Sequence, residues 1–147
     1  MLNIYLESTI KPPQKAAGKA MYLVEFVPDK HPDKFQTWQE YAEYGETTED
    51  AIILSVLIKA LMRITRPCEI RIFTKAKSVF STLESRRYNT WRDNNWLKGN
   101  GEAVKNAHLW DVAQDLLASK STDWTVTDED HSYQEYMRSE LKKWQRA

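Results

Sequence analysis

Lys75 stands at the end of the apolar strand pattern Cys68-Glu69-Ile70-Arg71-Ile72-Phe73-Thr74, two residues before a helical stretch that begins near Lys77. In open α/β sheets ligand chemistry collects at the carboxyl ends of strands. A cation there repels a divalent metal and attracts a carboxylate or a phosphate. The run Asp128-Glu129-Asp130-His131 has the residue types of a metal site. Four consecutive loop positions cannot all point inward, however, and acids ahead of a helix also act on its dipole. No phosphate-cradling glycine loop, dinucleotide fingerprint or zinc spacing occurs.

The elements that must position these residues follow from period and punctuation. Leu2 to Leu6 is a short buried strand, broken by Lys11-Pro12-Pro13. Met21 to Val27 is a second strand, and Phe35 to Tyr44 a third, with Pro28-Asp29 and Pro32-Asp33 as turn chemistry between them. This pattern predicts an antiparallel meander. Ile52, Ile53, Val56, Leu57, Ala60, Leu61 and Ile64 then take helical spacing, with Thr47 as the expected N-cap and Arg66-Pro67 as the stop. After the Cys68 strand come a helix from about Lys77 to Arg87 and a polar, tryptophan-rich connection from Tyr88 to Lys105. Asn106 is placed to cap a helix burying Leu109, Trp110, Ala113, Leu116 and Leu117. Asp123 to Thr127 is a last strand. Ser132 and Glu135 form a capping-box pattern before a stripe of Tyr133, Tyr136, Met137, Leu141 and Trp144. Three strands followed by helix-strand-helix-helix-strand-helix predict one α/β domain over residues 1–147 with a mixed sheet.

Composition narrows the function classes. With 147 residues and 41 % hydrophobic content the chain can bury a core, which excludes global disorder. The longest apolar run, Ala51 to Ile58, is too short to span a bilayer, and the first residues lack the pattern of a signal peptide. A single cysteine, Cys68, excludes an internal disulfide framework and fits a reducing compartment. The expectation is a cytoplasmic protein without a membrane partner. Net charge is zero, yet charge is segregated: Lys59 to Lys105 carries 11 basic and 4 acidic residues, Glu25 to Asp50 2 and 8, Asn106 to Tyr136 1 and 7. A basic middle between acidic flanks attracts phosphate locally without a basic isoelectric point.

The segment Trp91-Arg92-Asp93-Asn94-Asn95-Trp96, followed by Val104-Lys105-Asn106 and Leu109-Trp110, resembles the substrate-handle region of type 1 ribonucleases H. Gly45-Glu46-Thr47-Thr48 is similar to that family's Thr-Thr lead into its first helix, Cys68 to Thr74 to its central strand, and Ser139-Glu140-Leu141 to the Asp-Glu-Leu of its last helix. The resemblance implies an RNase H-like fold: a five-stranded mixed sheet, three strands in an antiparallel meander plus two parallel strands, flanked by helices.

It also implies a comparison of sites. The family uses four carboxylates to bind two divalent metals that activate water against the RNA strand of an RNA–DNA hybrid. Here the four positions fall at Glu7, Ile53, Lys75 and Ser139, and the loop histidine at Asp130 or, with a one-residue shift, at His131. Three of four carboxylates are replaced, so the resemblance implies a member without the usual catalytic site, and Lys75 is expected to neutralise Glu7. Arg86, Arg87, Trp91, Arg92, Trp96, Lys98, Lys105 and Asn106 are the candidate nucleic-acid contacts. The leading expectation is noncatalytic binding of an RNA–DNA hybrid or another duplex, with no metal or other cofactor. One alternative is a protein-interaction or assembly module with a protein partner. The other is a divergent nuclease using Mg²⁺ or Mn²⁺ on Glu7 with Asp128 or Asp130.

Overall fold

Five strands form one mixed sheet in the order β3-β2-β1-β4-β5. A computed structural model describes residues 1–12 and 14–146. β1 (Leu2–Ser8), β2 (Lys15–Phe26) and β3 (Gln36–Thr48) make the antiparallel meander. β4 (Cys68–Phe73) pairs parallel to β1 and to β5 (Ser121–Thr127). Alternation along the strands builds two cores. Leu2, Ile4 and Leu6 of β1, Ala20, Tyr22 and Val24 of β2 and Ile70 and Ile72 of β4 face the larger one. Tyr5, Met21, Leu23 and Phe73 face the smaller one on the opposite side.

The larger core is covered by α1 (Glu49–Met62), α2 (Lys77–Ser85) and α4 (Ala107–Lys120). Ile52, Leu54, Val56, Leu57, Ala60 and Leu61 of α1 are buried around most of its circumference, which marks a helix enclosed by sheet and neighbouring helices. α5 (Gln134–Arg146) closes the other face with Met137 and Leu141. Cys68 is a free, partly buried thiol at the edge of the larger core, and burial pushes its pKa up.

Several boundaries differ from the expectations. The meander strands run longer, so the lead into α1 is the end of β3, and the N-cap is Thr48 rather than Thr47: its Oγ1 accepts from Ala51 N at 3.4 Å. α1 ends at Met62, ahead of Arg66-Pro67. Pro13, read as part of the break after β1, lies outside the described residues. The connection from Tyr88 to Lys105 contains a helix, α3 (Arg87–Asp93), in which only Tyr88 is buried. Asn106 caps α4 by backbone geometry: it sits in the left-handed region (φ 61°), its carbonyl accepts from Trp110 N at 3.0 Å, and its side chain makes no cap hydrogen bond. Asparagine tolerates that conformation better than most residues. Ahead of α5, His131 Nδ1, not Ser132, accepts from the chain, at Tyr133 N and 3.2 Å. Tyr136 of the expected stripe is exposed.

Gly18 is set by close approach. A Cβ there would lie 2.5 Å from Cγ1 of Ile10, which is itself buried. Gly18→Ala is therefore expected to destabilise the fold by about 1–3 kcal/mol, the usual cost of overpacking. A urea unfolding midpoint equal to that of the parent chain would refute this.

Candidate functional site

The carboxyl ends of β1 and β4 lie side by side and bring together residues distant in sequence. Glu7, Ile53 and Lys75 line one small cavity with Lys11, Thr74 and Glu49. Its volume is about 10 Å³, at the lower limit for a single water. Alternation places Glu7 on the α5 side of β1, with Tyr5. Ile53 and Glu49 descend from α1 on the other side.

Glu7 is 5 % exposed, and its Oε1 accepts from Arg138 Nε at 3.1 Å. This corrects the expected Glu7–Lys75 pair. Lys75 Nζ instead meets Asp130 Oδ1 at 2.7 Å. The physical reason is the route of the chain: Thr74 N donates to Thr127 O at 3.1 Å, so the loop leaving β5 brings Asp130 to Lys75, while α5 brings Arg138 beneath Glu7. The Lys75 ammonium holds the Asp130 carboxyl below its usual range. Ser139 is exposed, and Arg138 occupies the place against Glu7.

Glu49, which the sequence reading did not single out, is the second carboxylate of this cavity. It is 9 % exposed, and burial raises its pKa, with Lys11 opposing and Asp50 and Glu7 adding to the rise. Its signal was available: Glu49 precedes Ile53 by four positions, one helical turn on the same face. A raised carboxyl pKa means that the folded state binds its proton more tightly than the unfolded state, so stability falls as pH rises through that range. Glu49→Gln is expected to raise the urea midpoint at pH 7 relative to the parent and to lose that advantage at pH 4. An unchanged or lower midpoint at pH 7 would count against the burial cost.

His131 is packed among aromatic rings, with centroids 4.3 Å from Tyr5 and 5.5 Å from Phe73. Partial burial, reinforced by Lys75 and Arg138, pushes its pKa down to about 4, so it is a neutral, half-buried imidazole at ordinary pH. Asp128 is exposed. Among the described residues no three carboxylate, imidazole or thiol side chains converge. A pair of divalent cations needs several oxygen donors around it. With Arg138 on Glu7, Lys75 on Asp130 and a hydrocarbon side chain at Ile53, the residues at this end do not fit such a pair.

The candidate nucleic-acid contacts divide into groups. Arg87, Trp91, Lys98, Lys105 and Asn106 line one groove of about 410 Å³, together with Asp50. The Arg87 guanidinium lies 5.9 Å from the Trp91 ring centre. Trp91 and Trp96 both pack partly buried against the larger core. Trp96 is in the left-handed region (φ 61°), held by its N donating to Trp91 O at 2.6 Å and its O accepting from Val104 N at 3.0 Å. Arg92 turns away and pairs with Asp111 and Asp115 of α4 at 3.2 and 3.0 Å. Arg86 stacks over Trp124 of β5 at 4.3 Å and lines a different pocket. The groove thus carries three cations, the Trp91 and Trp110 side chains, one amide and the Asp50 carboxylate.

No protein-family model matches the chain. Ribonuclease H of Clostridium botulinum (strain Hall) is 28 % identical over 93 residues, which cover 63 % of this chain and 62 % of that protein. Ribonuclease H of Rickettsia bellii is 33 % identical over 79 residues, 54 % of this chain and 50 % of that protein. The matched segments therefore span about half to three fifths of these relatives. The crystal structure of LC9-RNase H1, a type 1 RNase H with the type 2 active-site motif, superposes with a TM-score of 0.74 at 17 % identity, covering 97 % of this chain and 70 % of that one. The foamy viral protease-reverse transcriptase in complex with RNA/DNA hybrid gives a TM-score of 0.68 at 16 % identity, covering 97 % of this chain and 19 % of that one. RNase H1 of the halophilic archaeon Halobacterium salinarum NRC-1 gives 0.60 at 13 % identity, covering 99 % of this chain and 98 % of that one. The sheet order, the helices that cover it and these relatives agree: the chain has the ribonuclease H-like fold, and its relatives in sequence are ribonucleases H.

Proposed function

We propose that residues 1–147 act as one RNase H-like unit that binds nucleic acid, an RNA–DNA hybrid or another duplex, without cleaving it, in the cytoplasm. The observation that carries the noncatalytic part is the pairing at the sheet end, where Arg138 engages Glu7, Lys75 engages Asp130, and Ile53 presents only hydrocarbon. A cation ~4 Å from a unit charge in surroundings of effective dielectric ~20 is worth about 4 kcal/mol, and a divalent metal meets Lys75 with the unfavourable sign. The binding part is supported by the groove of Arg87, Lys98 and Lys105 beside Trp91, a combination suited to phosphates and sugar faces. It is supported as well by the structural neighbour whose complex contains an RNA/DNA hybrid. The cytoplasmic assignment draws on the lone free cysteine, and among the described residues no helix is long and apolar enough to cross a membrane.

The test measures binding and cleavage of one labelled hybrid together, with and without Mn²⁺. Retention of the intact hybrid at low salt is the expected result. Cleavage that depends on Mn²⁺ would overturn the noncatalytic part. A chain that retains neither hybrid, duplex nor single strand at low salt would overturn the binding part.

A further inference from the structure

A second cleft lies away from the handle groove. It holds about 480 Å³ between the turn after β1 and α5, and its lining includes Glu7, Ser8, Thr9, Lys11, Arg138 and Lys142. Glu7 is the single carboxylate among its lining residues, and Arg138 Nε already occupies it at 3.1 Å. A guanidinium has five N–H donors in a rigid fork, so a contact through Nε fixes the plane and leaves further donors to face the cleft. The Arg138 side chain is 43 % exposed, so those donors reach solvent. Lys11 and Lys142 are exposed and make no ion pair among the described residues, whose lysine pairs involve Lys15, Lys75 and Lys143. Three cations therefore line this cleft with one carboxylate that is already engaged, and Lys11 also lines the small cavity that holds Glu49.

We propose that this cleft is a phosphate subsite, in which the Arg138 fork, Lys11 and Lys142 hold one backbone phosphodiester of bound nucleic acid and Glu7 is the positioning residue for Arg138. The proposal rests on the nucleic-acid reading above, because the backbone is its source of phosphate. It extends the contact surface from the handle groove to the sheet end, and binding there is direct, side chain to phosphate oxygen.

Two measurements separate the subsite from the reading beneath it. In the first, inorganic phosphate is titrated against the chain while the Arg138 Nε–Hε NMR signal is followed. A saturable shift is expected, and it should be lost in Lys11→Ala/Lys142→Ala, whose two exposed side chains leave the fold intact. A shift no larger than that of the exposed Arg66 overturns the subsite. In the second, hybrid affinity is measured against salt. The same double variant should reduce the slope of log affinity against log salt by about one, the value of one lost phosphate contact. An unchanged slope with hybrid still bound overturns the subsite alone. A phosphate shift in a chain that binds no hybrid would make free phosphate the ligand and overturn the backbone assignment.

Discussion

Replacing Arg87, Lys98 and Lys105 together by alanine is expected to lower hybrid affinity by about 10²–10³-fold near 0.1 M salt. The magnitude follows from counterion release: each neutralised phosphate contributes about 0.9 to the slope of log affinity against log salt, so three contacts amount to a little under three decades at that concentration. The three cations line one groove, which makes a shared effect the natural expectation. Parent and variant curves should converge toward 1 M salt. Arg92 supplies the internal comparison, because its guanidinium is already held by Asp111 and Asp115. Arg92→Ala should therefore change affinity far less than Arg87→Ala. A triple variant whose loss is the same at every salt concentration, or no loss at all, would place the binding surface elsewhere.

The second large effect concerns stability and pH. The His131 pKa drops from 6.5 to about 4 on folding, because its ring is half-buried and Lys75 and Arg138 stand near it, with Asp130 opposing. The unfolded chain binds a proton below about pH 6.5 that the folded chain refuses until about pH 4. Stability from this group is thus fully present above pH 6.5 and is lost progressively as pH falls to about 4. The total is about 3 kcal/mol, since each pKa unit is worth about 1.4 kcal/mol. Glu49 titrates in the opposite sense, so the cleanest readout is the difference between the parent and His131→Phe. Urea midpoints from pH 7 to pH 4 should fall less in the variant. Equal slopes for the two proteins, or a His131 ring that titrates near pH 6.5 by NMR, would refute the half-buried, neutral imidazole.

The strands, the meander and the first helix were legible in the chain because they depend on short-range alternation, whereas the five-stranded mixed sheet was implied by the family resemblance and the strand order came only with the structure. Leu2, Ile4 and Leu6 against Tyr5 is a period-two pattern, and Ile52 to Ile64 is a helical one. The short helix α3 was not legible, since Arg87–Asp93 buries only Tyr88 and has no apolar stripe to detect. At the sheet end the residue types were readable but their partners were not. Lys75 and Glu7 stand at neighbouring strand ends, yet each meets a cation or anion delivered by a distant element: Asp130 from the loop after β5, Arg138 from α5. The difference between Ser139 and Arg138 at Glu7 is one residue, which on a helix is a rotation of about 100°. Glu49 shares one face of α1 with Ile53, but an acid in the first turn of a helix has an ordinary role at its dipole, which hides a site position in the sequence. In the handle, charge density predicted a single basic surface. Acidic partners on α4 and the Trp124 ring removed Arg92 and Arg86 from it.

β1 lies in the middle of the sheet, with β2 on one side and β4 on the other. Its pairing with β2 joins near neighbours in the chain, whereas Leu2 meets Ile70 and Tyr5 meets Phe73 across almost half the sequence. The meander can therefore zip early, as local contacts do, while the second edge of β1 stays bare. During synthesis that edge remains open until residues 68–73 have left the ribosome, and an unpaired apolar strand is a template for other chains. Weakening β4, for instance at Ile70 or Ile72, prolongs that interval, so the yield of soluble protein should suffer more than the equilibrium stability of whatever folds.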